Sequence, residues 1–436
     1  MQTEQNNIGL VWFKNDLRVH DNAVLNKAIS ENDKIIGLFC FEPQLFEKDP
    51  FGFRKTEKYR AKFLIETIID LKQQLKSLNI ELFVHHAQPE KIIPNLVSDY
   101  QIQNIYLQNE WTSEECKTIN NVKSSLPESV TWHSIYNQFL FHPDDINLEI
   151  PEIPQVFTNF RKKVEKESRV RPSLTELSIQ QALEINNPTE IPSLSNLGFS
   201  EFETHANTAF PFQGGETAAL KRLDIYFFET KKLGFYKKTR NGLIGTDFSS
   251  KFSPWLANGS LSPRTIYWEV KRFEKEHVKN ESTYWLIFEL IWRDYFKYIS
   301  LKHGNAIFKI GGILEKNYDW NTNQTMVEHW INGTIASPFV NANMLELKKT
   351  GWMSNRGRQN VASYFSKELM LDWRIGAAYF ESMLIDYDVH SNYGNWMYVS
   401  GVGNDPRDRK FNVQLQAERY DPNGKFQNLW LQETLF

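Results

Sequence analysis

The residues with the most chemical content lie between Gly351 and Trp396, in the run GWMSNRGRQNVASYFSKELMLDWRIGAAYFESMLIDYDVHSNYGNW. Asn355, Arg358, Asp386, Asp388 and Asn392 are polar side chains set in otherwise core-like segments. Burying such groups is unfavourable unless something hydrogen-bonds them, and a large polar ligand would do so. Trp373 and Trp396 fall on successive apolar stretches. Stacked indoles can pass an electron toward a bound ligand, whereas core filling is the ordinary role of a Trp in an apolar stretch. The combination reads as a redox-active ligand pocket.

Other constellations are weaker taken singly. Ser249, Ser250, Lys251 and Ser253 put small hydroxyls and one cation beside the helical Pro254–Asn258 stretch. That suits a pyrophosphate, although the glycine pattern of a phosphate-binding loop is missing and Ser-rich loops are usually caps and turns. Glu289, Trp292 and Arg293 share one helical face, either as an intrahelical Glu–Arg pair beside a packed indole or as a wall gripping a planar base. Gly401-Val402-Gly403 follows a helical region, so it reads as a turn and not a dinucleotide fingerprint. Two basic tracts, Arg161–Arg171 and Lys231–Arg240, are solvated faces by default, and become a phosphate-tracking groove if they fold to the pocket rim. Residues 12–18, WFKNDLR, with Asn22 after them, follow the first strand, where a ligand or a turn network would sit. No His, Asp and Glu set shows metal-ligand spacing, and no nucleophile elbow or kinase signature is present.

Positioning these residues requires two kinds of architecture. Short β-rich runs at Gly9–Phe13, Lys34–Phe41, Ile80–His85, Asn104–Leu107 and Val130–Ile135 alternate with helical stretches such as Glu57–Leu78 and Ser113–Ser125. This βαβ pattern predicts a doubly wound parallel sheet. From about Pro143 to Gly215 the sequence turns Pro-, Asn- and Ser-rich with little periodicity, and reads as a connector wrapping the surface. Beyond Glu216 helix-period segments follow one another at Thr217–Lys232, Pro263–Glu276, Thr283–Leu301, Asn360–Leu369 and Ile375–Ile385, predicting an all-α domain. The 436 residues suffice for two or three such units, and an aromatic content of 14% favours planar, stacking partners. A net charge of −3 excludes wholesale coating of nucleic acid, so any DNA contact needs a local patch. Cys40 and Cys116 are too few for a disulfide framework. The polar Met1–Asn7 start and the absence of a long apolar run lead us to expect a cytoplasmic, untargeted protein that makes no use of a membrane.

In this order, WFKNDLRVHDN, TRNGLIGTDFSSKFSPWL, FELIWRDYF, TGWMSNRGRQNVASYF and LIDYDVHSNYGNW resemble the blocks of the cryptochrome/photolyase family over essentially the whole chain. VFTNFRKKVE and NWMYVSGVGNDPRDRKFNV resemble its cryptochrome DASH branch more narrowly. The resemblance implies an α/β antenna-binding domain over residues 1–140, a connector over 141–215 and a helical FAD-binding catalytic domain over 216–436. It implies FAD in a U shape, with Tyr236, Ser249, Ser250, Lys251 and Ser253 at phosphates and ribitol. Arg293 and Arg358 would add positive charge, Asp386 and Asp388 would meet the ribose and isoalloxazine sides, and Asn392 would face flavin N5. Trp396, Trp373 and Trp320 match the family's electron-transferring tryptophans in order of distance from the flavin. Glu289, Trp292 and Asn355 match lesion contacts. Gln359 and Tyr398 stand where duplex-repairing relatives carry Met and Trp, which weakens the stacking needed to extrude a paired dimer. The implied activity is blue-light repair of cyclobutane pyrimidine dimers, preferring single-stranded DNA, by a monomer, with RNA as a further possible ligand. A methenyltetrahydrofolate antenna is implied near Glu110. The rival expectation is a flavin photoreceptor that signals through a partner. Repair of (6-4) photoproducts would call for a lesion-pocket His, and the resemblance does not place His390 there.

Overall fold

The structure, a computed structural model, describes residues 7–174, 177–182 and 185–432. The polar N-terminal reading at residues 1–6, and the connector reading at 175–176 and 183–184, lie outside the described residues.

Five strands, β1 (Ile8–Trp12), β2 (Lys34–Cys40), β3 (Glu81–His85), β4 (Asn104–Gln108) and β5 (Thr131–Ile135), pair in parallel in the order β3-β2-β1-β4-β5. Side chains alternate across the pleat, so both faces need cover. On one face Val11, Ile35 and Leu82 pack with α1 (Ala23–Glu31) and α2 (Lys58–Ser77); on the other Leu10, Ile36 and Ile105 pack with α3 (Pro89–Tyr100) and α4 (Ser113–Ser124). The strand order reverses at β1, and the crevice between the ends of β1 and β4 is where such sheets receive ligands.

The stretch read as a surface connector is more structured than its composition suggests. Residues Phe157–Glu167 form α5, whose Phe157, Phe160 and Val164 are buried in the core of the helical half. Leu194, Leu197 and Phe199 pack against the sheet's core instead. The three apolar residues of α5 stand at i, i+3 and i+7, one helical stripe hidden among the charges of FRKKVEKE.

The helical half comprises α6 (Glu216–Asp224), α7 (Tyr236–Thr239), α8 (Ser253–Ala257), α9 (Pro263–Glu276), α10 (Glu281–His303), α11 (Gln324–Ile331), α12 (Pro338–Thr350), α13 (Asn355–Ser363), α14 (Trp373–Met383), α15 (Val389–Ser400), α16 (Val413–Tyr420) and α17 (Lys425–Leu431). The expected helices at Thr217–Lys232 and Asn360–Leu369 each end in a π-turn, Ile225–Glu229 and Tyr364–Glu368. Gly401, in the left-handed conformation at φ 83°, terminates α15, as a turn reading of that motif requires. Among the described residues no helix is long and apolar enough to cross a membrane.

The loop after β1 does not hold a ligand alone; it docks the two halves. Arg18, buried, donates to the carbonyls of Gly259 at 2.8 Å, Asp21 at 2.8 Å and Asn137 at 3.1 Å. Asp21 accepts from Arg264 at 2.6 Å, and Glu216 accepts from the Val19 and His20 amides at 2.8 and 3.0 Å. Gly259 makes the approach possible: a Cβ there would stand 1.9 Å from the Asn15 carbonyl oxygen.

Candidate functional site

The polar residues of the Gly351–Trp396 run do converge. Asn355, Arg358 and Gln359 from α13, Asp386 and Asp388 from the loop before α15, and Asn392 and Trp396 from α15 line one cavity. Ser354 caps α13 by accepting from the Gly357 amide at 3.0 Å, and Asp388 caps α15 by accepting from Ser391 at 2.8 Å, so two helix N-termini open toward the same space. Arg358 holds Asp386 with one guanidinium nitrogen 2.9 Å from each carboxylate oxygen. Asn392 anchors its amide by donating to the Ala377 carbonyl at 3.0 Å. Asn355 departs from the expectation of a buried polar group: it is exposed, at the lip.

Asp388 accepts a 2.8 Å hydrogen bond from the ammonium of Lys297, a residue that sequence reasoning missed. Burial by itself pushes the Asp388 carboxyl up, but Lys297, His390 and Arg293 more than reverse this and hold it well below the usual carboxylate range. The carboxylate is therefore a fixed negative charge at the cavity wall.

The Ser-Lys loop reaches this site across Trp352. The Lys251 ammonium lies 4.7 Å from the centroid of the Trp352 ring, and the Arg358 guanidinium lies 5.6 Å from it. Lys251 and Ser250 are buried, whereas Ser249 and Ser253 are partly exposed. Burial lowers the Lys251 pKa and raises that of Glu346 nearby, whose Oε2 has no protein hydrogen-bond partner. An anionic group beside Lys251 offsets the first of these penalties. The loop is shaped by Arg222, which donates to the carbonyls of Ser250 at 3.2 Å and Thr246 at 3.1 Å and pairs with Asp247 at 2.9 Å. Nothing in the sequence singled out Arg222, because most of its partners are backbone oxygens of a loop and its one carboxylate partner, Asp247, lies 25 residues away.

Glu289 and Arg293 do not form the intrahelical pair that their spacing allows. Glu289 pairs with Arg240 at 2.9 Å, while Arg293 donates to the carbonyls of Gln138 at 2.5 Å and Leu256 at 3.0 Å. The α10 side chains are drawn to different neighbours, Tyr236 and Arg240 of the α7 region on one side and the sheet half on the other. Burial raises the Glu289 pKa, with Arg240 opposing. Trp292 stacks on Phe157 of α5, centroids 3.6 Å apart and planes 11° apart, and meets Tyr398 edge-on at 5.9 Å. Tyr398 accepts from Arg409 at 2.9 Å, and Gln359 accepts from Arg356 at 2.8 Å. Both basic tracts flank α10: Arg161 donates to Tyr284 at 2.5 Å, and Lys237 sits 4.5 Å from the Trp285 centroid.

Of the three tryptophans, two are core residues and one reaches the surface. Trp396 is 2% exposed, Trp373 is fully buried and Trp320 is partly exposed. Trp396 lies against Gly376 of α14, where a Cβ would stand 2.3 Å from the indole, and Trp373 begins that helix. Trp320 precedes Asn321, whose backbone bridges Leu371 and accepts from the Asp372 amide at 2.9 Å, directly before Trp373. The Trp373 indole donates to the Ile310 carbonyl at 2.9 Å.

A second, larger cleft of about 1130 Å³ opens at the β1/β4 crevice, lined by Trp12, Lys14, Gln108 and Glu110 from the sheet half and by Arg293, Lys297 and His390 from the helical half. Burial raises Glu110 to about 7, with Glu115 adding to it and the Gln108 hydrogen bond at 2.9 Å opposing. His390 stacks on Trp111 at 4.5 Å and shares a 2.7 Å hydrogen bond with Ser300, on this side and not at the Trp292 wall. Tyr387 and Asp388 line both cavities and form the partition between them.

Residues 9–178 match the family described as DNA photolyase, and residues 285–435 match the FAD binding domain of DNA photolyase. The cryptochrome DASH of Gloeobacter violaceus is 46% identical, over 97% of this chain and 85% of its own length. The chain belongs to the cryptochrome/photolyase family, in its cryptochrome DASH branch. The crystal structure of Synechocystis cryptochrome superposes with a TM-score of 0.94 at 44% identity, covering 98% of this chain and 89% of that one. A class III photolyase from Agrobacterium tumefaciens superposes at 0.84 with 25% identity, covering 98% and 87%. Residues 285–435 are thus a FAD-binding domain. The residues of the helical half fit that cofactor: buried Lys251 and the Ser loop suit a diphosphate, Asp386 and Asp388 suit hydroxyl and N–H donors, and Trp396 Nε1 is buried without a protein acceptor.

Proposed function

We propose that this cryptochrome DASH repairs cyclobutane pyrimidine dimers in single-stranded DNA in blue light. The reading is carried by the surface at Trp292 and Tyr398, which meet edge to face, and by Gln359, which lines the flavin cavity. An indole supplies a stacking face, while Tyr398 and Gln359 are polar and already hydrogen-bonded to Arg409 and Arg356. Such a wall gains little from clamping an extruded base, and extruding a paired dimer requires a few kcal/mol (about 2–4) that an unpaired strand does not. Reduced flavin, when bound and photoexcited, supplies a one-electron donation that opens the cyclobutane ring and is then returned. The chain's own groups do the rest. Glu289, held by Arg240 at 2.9 Å, can accept a hydrogen bond from a pyrimidine N–H. Asn392, a neutral amide, adds no repulsion to an electron-rich ring. Trp396, Trp373 and Trp320 would carry electrons inward from the surface.

The cleft at Glu110 is read as the antenna site, with a folate as the pigment. Glu110 titrates near 7, so a pterin offering N–H donors should be held better at higher pH, where the carboxylate forms. Near-ultraviolet absorbance retained after gel filtration at about pH 6 and about pH 8 should show this, and Glu110→Gln should flatten the difference.

The deciding experiment is blue-light repair of a thymine dimer in matched single- and double-stranded oligonucleotides, with the flavin chemically reduced. Fast repair of the single strand alone supports the proposal. Equal rates on both would sink the strand preference, and repair of neither, with flavin bound and photoreducible, would favour a photoreceptor.

A further inference from the structure

The loop between Arg240 and Ser249 carries two apolar side chains that the flavin site does not use. Phe248 is 42% exposed and Ile244 is 38% exposed. The Phe248 ring packs over Gly242, where a Cβ would stand 2.4 Å from its Cγ, so the local fold props the ring outward. Asn241, the next residue back, accepts from Arg356 at 3.2 Å, and Arg356 holds Gln359 at the cavity wall and covers Tyr420 at 4.6 Å. On the other side Asp247 is bound by Lys232. These contacts make one continuous strip from the cavity rim past Phe248 to Lys232. Its charge is positive: Lys232, Arg240, Arg356 and Arg419 stand against the carboxylates of Asp247 and Glu289.

An exposed ring among cations, on a strip that reaches the cavity rim, has the make-up of a single-strand binding surface, in which charge follows the phosphates and aromatics take base faces. We propose that Phe248, with Ile244 in the same loop, is a stacking platform for a base adjoining the lesion. The inference rests on the single-strand repair reading and gives it a second cause. In a duplex each base face is already covered by its neighbours, so the ring has nothing to accept; in a single strand the face is free.

The test uses the full-length flavoprotein and two probes, the isolated thymine dimer dinucleotide and a single-stranded oligonucleotide containing it. Affinity for the oligonucleotide is measured in the dark. Phe248→Ala should weaken it about tenfold, the loss of one base–aromatic stack. Phe248→Trp, which keeps a stacking face, should retain it. Repair of the dinucleotide and flavin absorbance per protein should stay at wild-type values in both. Unchanged oligonucleotide affinity in Phe248→Ala, or an equal loss in both variants, overturns the platform. If the wild-type protein repairs neither probe in light, the lyase reading fails, while the dark affinities still decide the platform separately.

Discussion

At Asp388 two opposing effects meet in one side chain. Burial disfavours its charge, and the Lys297 ammonium 2.8 Å away restores it. Asp388→Asn leaves Lys297 charged and buried without its counter-ion, which should lower stability by about 3 kcal/mol and empty the flavin site. The sign of the pH dependence follows. The folded pKa lies below the unfolded one, so the contribution is present above the ordinary carboxylate pKa, about 3.9, and is lost as pH falls below it. Urea midpoints of wild type and variant should therefore differ near neutrality and converge in acid. Convergence near neutrality instead would show that Asp388 is not a stabilising charge. At Trp373, the indole is fully buried. Trp373→Phe should abolish blue-light reduction of oxidised flavin while flavin stays bound, as read by bleaching of the flavin band; an unchanged rate would reject the relay.

Among the elements, α14 positions two of the tryptophans proposed to relay electrons. Trp373 starts it, and Gly376 one turn later gives the Trp396 indole its place. Gly376→Ala puts a methyl 2.3 Å from Trp396 Cη2, too close for the indole to stay. Overpacking of this kind should lower stability by about 1–3 kcal/mol. Thermal unfolding should register the loss, and flavin photoreduction should slow together with it because the indole moves. The helix α5 does similar service for Trp292, the proposed lesion contact. Its Phe157 covers one face of Trp292, so the indole's orientation depends on a segment far from it in sequence.

For the whole molecule, the contact between the sheet and helical halves is polar and buried. Asp21 binds Arg264, and the guanidinium of Arg18 is spent on carbonyls from both halves. Asp21→Ala strands the Arg264 charge in the interface and should cost about 3–5 kcal/mol. Denaturant unfolding followed by tryptophan emission and by flavin release should coincide in the wild type and separate in the variant; coincidence in both would show that the halves do not depend on this junction. The partition of Tyr387 and Asp388 between the two cavities belongs to this scale as well, because it exists only where the halves meet.

Much of this was legible in the sequence. Period-two and period-3.6 patterns delivered the five strands and five of the helices to within a residue or two, because burial on one face leaves its period in the chain. The helix in the connector escaped because only three apolar residues mark it among charges. The polar residues of the Gly351–Trp396 run could be named as ligand-facing, since an unpaired polar group in an apolar segment needs a partner. Their actual partners could not. Lys297 for Asp388, Arg240 for Glu289 and Arg222 for the Ser-Lys loop lie 91, 49 and 28 residues away or on unrelated elements. Sequence spacing reports neighbours along one helix or strand; it carries no signal for a pair brought together by packing. The chain itself determined the elements, the family blocks and which groups must find partners, because those follow from local period and residue type. The tertiary structure alone decided which charge meets which, that Glu289 turns from Arg293 to Arg240, and that Asp388 stands between two cavities, because these depend on how separate elements are docked.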